Sequence, residues 1–94
     1  MSKKEGYYKE DGYPLYDTEP LNGKAIYVYD NGHVYEGDFL NNKFHGQGNL
    51  VMGQYTYIGN FRKGKLHGKG VLTHTNGYKV TGIWENDRFK EYTN

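Results

Sequence analysis

The chain has no cysteine, a single serine, two prolines and no long apolar run. Each absence removes a class of function. Without cysteine there are no disulfides and no thiolate metal sites, as expected of a protein kept in a reducing compartment, so a cytoplasmic location is expected. The only serine, Ser2, lies at the extreme terminus, which leaves nucleophilic catalysis almost no material. No window approaches the roughly 18 apolar residues of a membrane-spanning helix. The opening Met1-Ser2-Lys3-Lys4-Glu5-Gly6 has no apolar run and does not read as a signal peptide. An excess of one charge is missing too: twelve basic residues face eleven acidic ones, for a net charge of +1. A dedicated nucleic-acid binder carries a stronger basic bias, so no nucleic-acid partner is expected.

What is present is aromatic and glycine-rich. Eleven tyrosines, four phenylalanines, one tryptophan and fourteen glycines stand in 94 residues. Rings bury large areas and can build the core that few aliphatic residues could. Tyrosine enrichment with few strong helix formers predicts an all-β protein.

The β pattern is periodic. Tyr35-Glu36-Gly37-Asp38-Phe39 leads through a polar turn to His45-Gly46-Gln47-Gly48, and Tyr57-Ile58-Gly59-Asn60-Phe61 leads to His67-Gly68-Lys69-Gly70. The two copies stand 22 residues apart, and Val80-Thr81-Gly82-Ile83-Trp84 begins a third, altered copy 23 residues further on. That period suits one β-hairpin plus its connection rather than a helix pair. Asp30-Asn31-Gly32, Gly53 and Asn76-Gly77 mark hairpin turns, because both residues of an Asn-Gly pair tolerate positive φ. Hairpins in series give an elongated single-sheet antiparallel meander. Its sheet is expected over residues 21–89, with 90–94 a tail and 1–20 a cap or degenerate repeat. Stepping back 23 positions from Phe39 and Gly46 reaches Tyr16 and Gly23.

Alternation puts Tyr35, Gly37 and Phe39 on one face, and likewise Tyr57, Gly59, Phe61 and Val80, Gly82, Trp84. A glycine between rings weakens a strand unless its bare backbone makes room, so the glycines are expected to be sockets for neighbouring rings. The opposite face carries Glu36, Asp38, Asn60, Lys69, Thr73, Lys79, Thr81 and Glu85, interspersed with Val51, Ile58, Val71 and Ile83. It is expected to be wet and mixed.

The motif Y-x-G-x-[FW]-x(5)-H-G-x-G resembles the MORN (membrane occupation and recognition nexus) repeat. Tyr35, Gly37, Phe39, His45, Gly46 and Gly48 match it in one copy. Tyr57, Gly59, Phe61, His67, Gly68 and Gly70 match it in the next. The third keeps Gly82 and Trp84 but has Val80 for tyrosine and Lys90-Glu91 for His-Gly. The resemblance implies a sheet of successive hairpins with roles in scaffolding, self-association and phospholipid contact, and it does not imply catalysis.

The remaining chemistry has bland explanations. His45 and His67 are repeat equivalents two strands apart, about 10 Å at a strand spacing of roughly 4.8 Å, too far for one metal ion. Each is expected to pack or hydrogen-bond in the tight turn before its glycine, and His33 and His74 to lie exposed beside turns. Glu36 and Asp38 share a wet face and read as solvated carboxylates rather than an acid–base pair. The glycines follow the repeat and make no phosphate loop. No cofactor is expected. A protein or peptide partner, or a second copy, is expected on the aromatic face formed by Tyr35, Phe39, Tyr57, Phe61 and Trp84. The alternative is an anionic membrane surface held by Arg62, Lys63, Lys65 and Lys69; residues 21–94 hold nine basic and six acidic side chains, a net of +3.

Overall fold

Tight turns produce most of the architecture. The computed structural model, which describes residues 4–16 and 20–93, has eight strands, those from β2 onward joined by short turns: β1 (Gly6–Tyr8), β2 (Gly23–Val28), β3 (Val34–Leu40), β4 (Lys43–Met52), β5 (Tyr55–Arg62), β6 (Lys65–His74), β7 (Lys79–Glu85) and β8 (Arg88–Tyr92). The strands form one sheet in chain order, with every neighbour antiparallel. There is no helix among the described residues. The molecule extends 41 × 28 × 18 Å, an elongated all-β meander as the repeat requires.

At one end of the sheet the turns are Asn41-Asn42, Lys63-Gly64 and Asn86-Asp87, with φ of 49 and 70°, 50 and 85°, and 49 and 71°. Positive φ at both central residues is the type I′ geometry whose twist matches that of the flanking strands. The turns also hold one another: Asn42 N donates to Leu21 O, Gly64 N to Phe44 O and Asp87 N to Leu66 O, at 2.9–3.0 Å. At the other end two turns fall at the expected Asn-Gly positions, with positive φ at the glycine alone. Gly32 and Gly77 have φ of 92 and 95°, but Asn31 and Asn76 do not take positive φ. Gly32 N donates to Tyr29 O and Tyr29 N to His33 O, so three residues fill the loop, in the manner of a type I turn closed by a glycine bulge. Asn31 and Asn76 instead use their side chains: each Oδ1 accepts from the N–H two residues on, His33 at 2.9 Å and Tyr78 at 2.8 Å.

The N-terminal segment repeats this device. Gly12 N donates to Lys9 O, Lys9 N to Tyr13 O and Leu15 N to Tyr7 O, so residues 13–15 lie along the outer side of β1. Gly23 sits opposite Phe39 as Gly46 sits opposite Phe61 and Gly68 opposite Trp84. Tyr16, however, is exposed and outside any strand, and it is Tyr7 that joins the rings, 4.8 Å from Tyr27. Residues 17–19 lie outside the described residues. The sheet thus begins at Gly6 and ends at Tyr92, longer at both ends than the 21–89 span, because β1 and β8 pair with their neighbours.

Within each repeat the ladder is broken at one place. Between Gly37 and Phe39 β3 takes two steps, while β4 takes four between Gly48 and Phe44. The second copy repeats this with Gly59–Phe61 against Gly70–Leu66. His45-Gly46-Gln47 and His67-Gly68-Lys69 fill these bulges, with Gly46 and Gly68 at φ of 78 and 91°. A bulge bends its strand. In the third copy β8 takes only three steps from Phe89 to Tyr92 against Gly82–Trp84, so the missing His-Gly coincides with a bulge one residue shorter.

The bend closes the aromatic face on itself. Register places Phe44 opposite Phe39 and Tyr35 opposite Leu50. Phe44 nevertheless reaches back to Tyr35, and Phe39, Phe61 and Tyr35 meet edge to face at 5.0–5.1 Å. The main core cluster lies on this concave face: Ala25, Tyr35, Phe39, Leu50, Tyr57, Phe61 and Trp84. Tyr8 and Val28 are buried on the other face, at the β1–β2 end.

Candidate functional site

The five rings expected to meet a partner are interior. Tyr35 and Tyr57 are 0% exposed, Phe39 and Phe61 3% and Trp84 4%. Sequence alternation puts them on one face correctly, but it carries no information on how strongly that face curls. Tyr35 Oη donates to Asp38 O at 2.7 Å, and Tyr57 Oη to Asn60 O at 3.0 Å, so even their polar ends are used within the repeat. Burial pushes the Tyr35 phenol well above its ordinary value, with the nearby Asp38 charge adding to it, and pushes Tyr57 up to about 12.

The glycines divide into two structural kinds. A Cβ on Gly48 would stand 2.4 Å from the Tyr35 ring, and one on Gly70 would stand 2.3 Å from Tyr57 Cζ. These two are ring sockets. A Cβ on Gly37 or Gly59 would meet the backbone of the adjacent strand first, at 2.4–2.5 Å. Those two permit close strand approach, which corrects their assignment as sockets. Gly82 belongs with them through Glu91 O at 2.4 Å, although the Phe89 ring is also 2.6 Å away.

The histidines act between copies rather than inside their own turns. His45 Nδ1 accepts a long hydrogen bond from Lys63 N at 3.5 Å, and His67 Nδ1 accepts one from Asn86 N at 3.4 Å. Each ties its bulge to the next type I′ turn. No group of three or more metal-ligating side chains is brought together among the described residues. His33 and His74, expected to lie exposed beside their turns, are half-buried. His74 is also bonded: Nδ1 accepts from Asn76 N, which leaves Nε2–H to donate to Gln54 Oε1 at 3.1 Å.

The basic residues are split between the turn and the wet face. Arg62 and Lys65 are direct cross-strand partners, Lys63 occupies the turn and Lys69 lies beyond the bulge opposite Ile83. None of the four makes an ion pair among the described residues; the ion pairs are Lys24–Asp38 and Lys90–Glu85.

Accessible rings stand at both ends of the sheet: Tyr13 and Tyr16 in the N-terminal segment, and Tyr55, Tyr78, Phe89 and Tyr92 in and beside the altered copy. Tyr55, Leu72, His74, Asn76, Tyr78 and Val80 line an open cleft of about 390 Å³. Its origin is visible in the register. Leu50 lies between Tyr35 and Tyr57 and is buried, whereas Leu72 lies between Tyr57 and Val80 and is half-buried. Replacing the third tyrosine by valine removes one wall. The sequence signal was Val80 itself, which marks the third copy as altered but does not show that the change opens a cleft.

The family described as "MORN repeat" matches residues 35–55 and 57–77, the two copies whose rings, sockets and bulges superimpose residue by residue in the register. This chain carries MORN repeats. Alsin from Homo sapiens is 37% identical over 87 residues, and alsin from Rattus norvegicus 33% over 87 residues. The matches cover 84% of this chain but 5% of alsin, so the chain spans about one twentieth of the length of these relatives. The family match stops at residue 77, although the MORN sheet continues through β7 and β8. The MORN family is a non-catalytic repeat module associated with protein or membrane interactions.

Proposed function

We propose that this MORN sheet is a non-enzymatic protein-interaction or scaffold module, working in the cytoplasm, that uses the open aromatic end of its concave face. One observation carries the reading: the ring ladder is closed in the first two copies and left open in the third, with the Tyr55–Tyr78 cleft beside it. Exposed aromatic area with few rotatable bonds favours binding at low entropic cost, and it is otherwise a liability for a small domain. The partner is a protein or peptide segment, a second copy included. Light scattering across a concentration series, with pull-downs from the native source, tests this. Tyr55→Ala with Tyr78→Ala should abolish capture at an unchanged melting temperature. A wild-type chain that stays monomeric and captures nothing rules the reading out.

A second reading rests on a different observation. Arg62 and Lys65 sit directly opposite each other, and like charges in that position weaken a sheet. The corresponding pairs are Leu40–Lys43 and Glu85–Arg88, neither of them repulsive. An anionic phospholipid surface would relieve the repulsion, with Lys63 and Lys69 adding to the attraction and the protein peripheral to the membrane. Co-sedimentation with phosphatidylserine vesicles should then be salt-sensitive and lost in Arg62/Lys63/Lys65→Ala; indifference to anionic lipid removes this reading.

A further inference from the structure

The convex, wet face carries an arrangement that the ring ladder does not explain. Register places Ile58 opposite Val71, with Val51 one row beyond on β4 and Ile83 one row back on β7. The four aliphatic side chains therefore run diagonally across four consecutive strands, about 14 Å at roughly 4.8 Å per strand. Ile58 is 55% exposed and Val51 39%. On the turn side of this diagonal stand Arg62, Lys65 and Lys69.

The polar pairs crossing the same face show why those cations are unsatisfied. Lys24 faces Asp38 across β2–β3 and is paired with it at 3.4 Å. The repeat-equivalent pair, Gln47 and Asn60, is joined amide to amide. The third such pair is Lys69 and Ile83, where the partner is apolar and Lys69 makes no ion pair among the described residues. Glu85, the acid nearest in register, is held by Lys90 at 3.7 Å. Glu36 and Glu91 lie at the lateral margins, the first on β3 and the second opposite Ile83 on β8.

From this charge asymmetry we propose that the convex face is a second docking surface, and that its occupant is an amphipathic acidic segment of a partner protein. An apolar stripe of that segment covers Val51, Ile58, Val71 and Ile83. Aspartate or glutamate along one side of the stripe meets Arg62, Lys65 and Lys69. The apolar diagonal supplies affinity, and the one-sided cations fix which way the segment lies. A bare membrane surface would use the cations but has no need of a solvent-exposed aliphatic stripe at the centre of a rigid sheet, which favours the peptide. This surface lies on the face opposite the Tyr55–Tyr78 cleft, so the two succeed or fail separately.

The test is selection of random 16-residue peptides displayed on phage against the whole chain. Synthesis of the consensus peptide follows, with its affinity measured by fluorescence anisotropy in 50 and 300 mM salt. The expected consensus carries an apolar stripe flanked along one side by acidic positions. Its affinity should fall at least tenfold in Ile58→Asp, at least tenfold in Lys65→Glu/Lys69→Glu, and with added salt. It should be unchanged in Tyr55→Ala/Tyr78→Ala. Lys65→Glu/Lys69→Glu alters exposed side chains only and keeps the test valid if Ile58→Asp unfolds. A consensus without acidic residues, or binding that ignores the charge reversal, overturns the proposal. So does tighter binding to phosphatidylserine vesicles that is unaffected by Ile58→Asp, which would assign the face to a membrane.

Discussion

Phe44 lies flat on Tyr35, with ring centroids 3.8 Å apart and planes within 8° of parallel. The other ring pairs along the ladder are edge-to-face or tilted, including Phe44 against Phe39 at 5.5 Å. Phe44 stands just after the Asn41-Asn42 turn, and the bulge at His45-Gly46-Gln47 folds it back over the tyrosine. It is the lid of the first complete copy. Leu66 stands in the same place in the second copy and Phe89 in the third.

Removal of that lid should be costly, and a smaller lid should be tolerated. Phe44→Ala is expected to destabilise the fold by about 2–3 kcal/mol, toward the lower end for large-to-small changes because the ring is half-buried. Phe44→Leu should cost about 1 kcal/mol, since leucine already serves at position 66. Urea unfolding followed by tyrosine fluorescence measures both. Equal losses for the two variants would show that the stack on Tyr35 contributes nothing specific.

The two kinds of glycine separate in a double-mutant cycle. Gly70→Ala drives a methyl into the Tyr57 ring, so its cost, about 1–3 kcal/mol for overpacking, should shrink in a Tyr57→Leu background. Gly59→Ala drives its methyl into Gly70 Cα at 2.4 Å and Lys69 O at 2.5 Å, which no side-chain change relieves. Its cost should persist in that background. If Tyr57→Leu rescues both variants equally, the division between sockets and strand contacts is wrong.

Asp87 has two tasks in the last type I′ turn. It adopts φ of 71°, and its Oδ1 accepts from Leu66 N at 2.8 Å. Asp87→Ala loses both and should cost about 1–2 kcal/mol. Asp87→Gly keeps the backbone freedom, as Gly64 does in the preceding turn, and should cost less than Asp87→Ala. Thermal melts rank the two; the reverse order would discard the conformational account.

Alkaline pH should loosen the fold through the buried tyrosines. Tyr57 is raised from about 10 to about 12, chiefly by burial. Below pH 10 the phenol is neutral in both states and its contribution is intact. Between pH 10 and 12 the unfolded chain ionises it while the folded chain does not, so stability falls across that window. Tyr35 adds to the same trend, being raised by burial and by Asp38. Tyr57→Phe should lose about 1 kcal/mol at pH 7, because Asn60 O forfeits its hydroxyl donor, yet decline less steeply above pH 10. Melting temperatures from pH 7 to 12 for both proteins decide it. A parallel decline would mean that Tyr57 does not titrate late.

Much of the architecture was legible in the residues because it is local. A strand's two faces follow from alternation, so Tyr35, Phe39, Tyr57, Phe61 and Trp84 fall on one side and Val51, Ile58, Val71 and Ile83 on the other before any coordinates exist. The turn positions follow from Asn and Gly, and the order of strands follows from a period too short for any connection but the next hairpin. Turn geometry was less legible. Asn31-Gly32 tolerates positive φ at both residues by composition, and only the backbone shows that Gly32 alone takes it.

The sequence by itself determined the repeat, the meander and the division of side chains between faces, because each depends on neighbours within one hairpin. The tertiary structure alone decided which face is closed. Closure depends on the bulges at His45-Gly46-Gln47 and His67-Gly68-Lys69, which bend each hairpin until rings from different strands meet. That cooperative curvature turned five expected contact residues into core. It left the surface to the places where the copies differ: Val80, Tyr92 and the uncompensated Lys69.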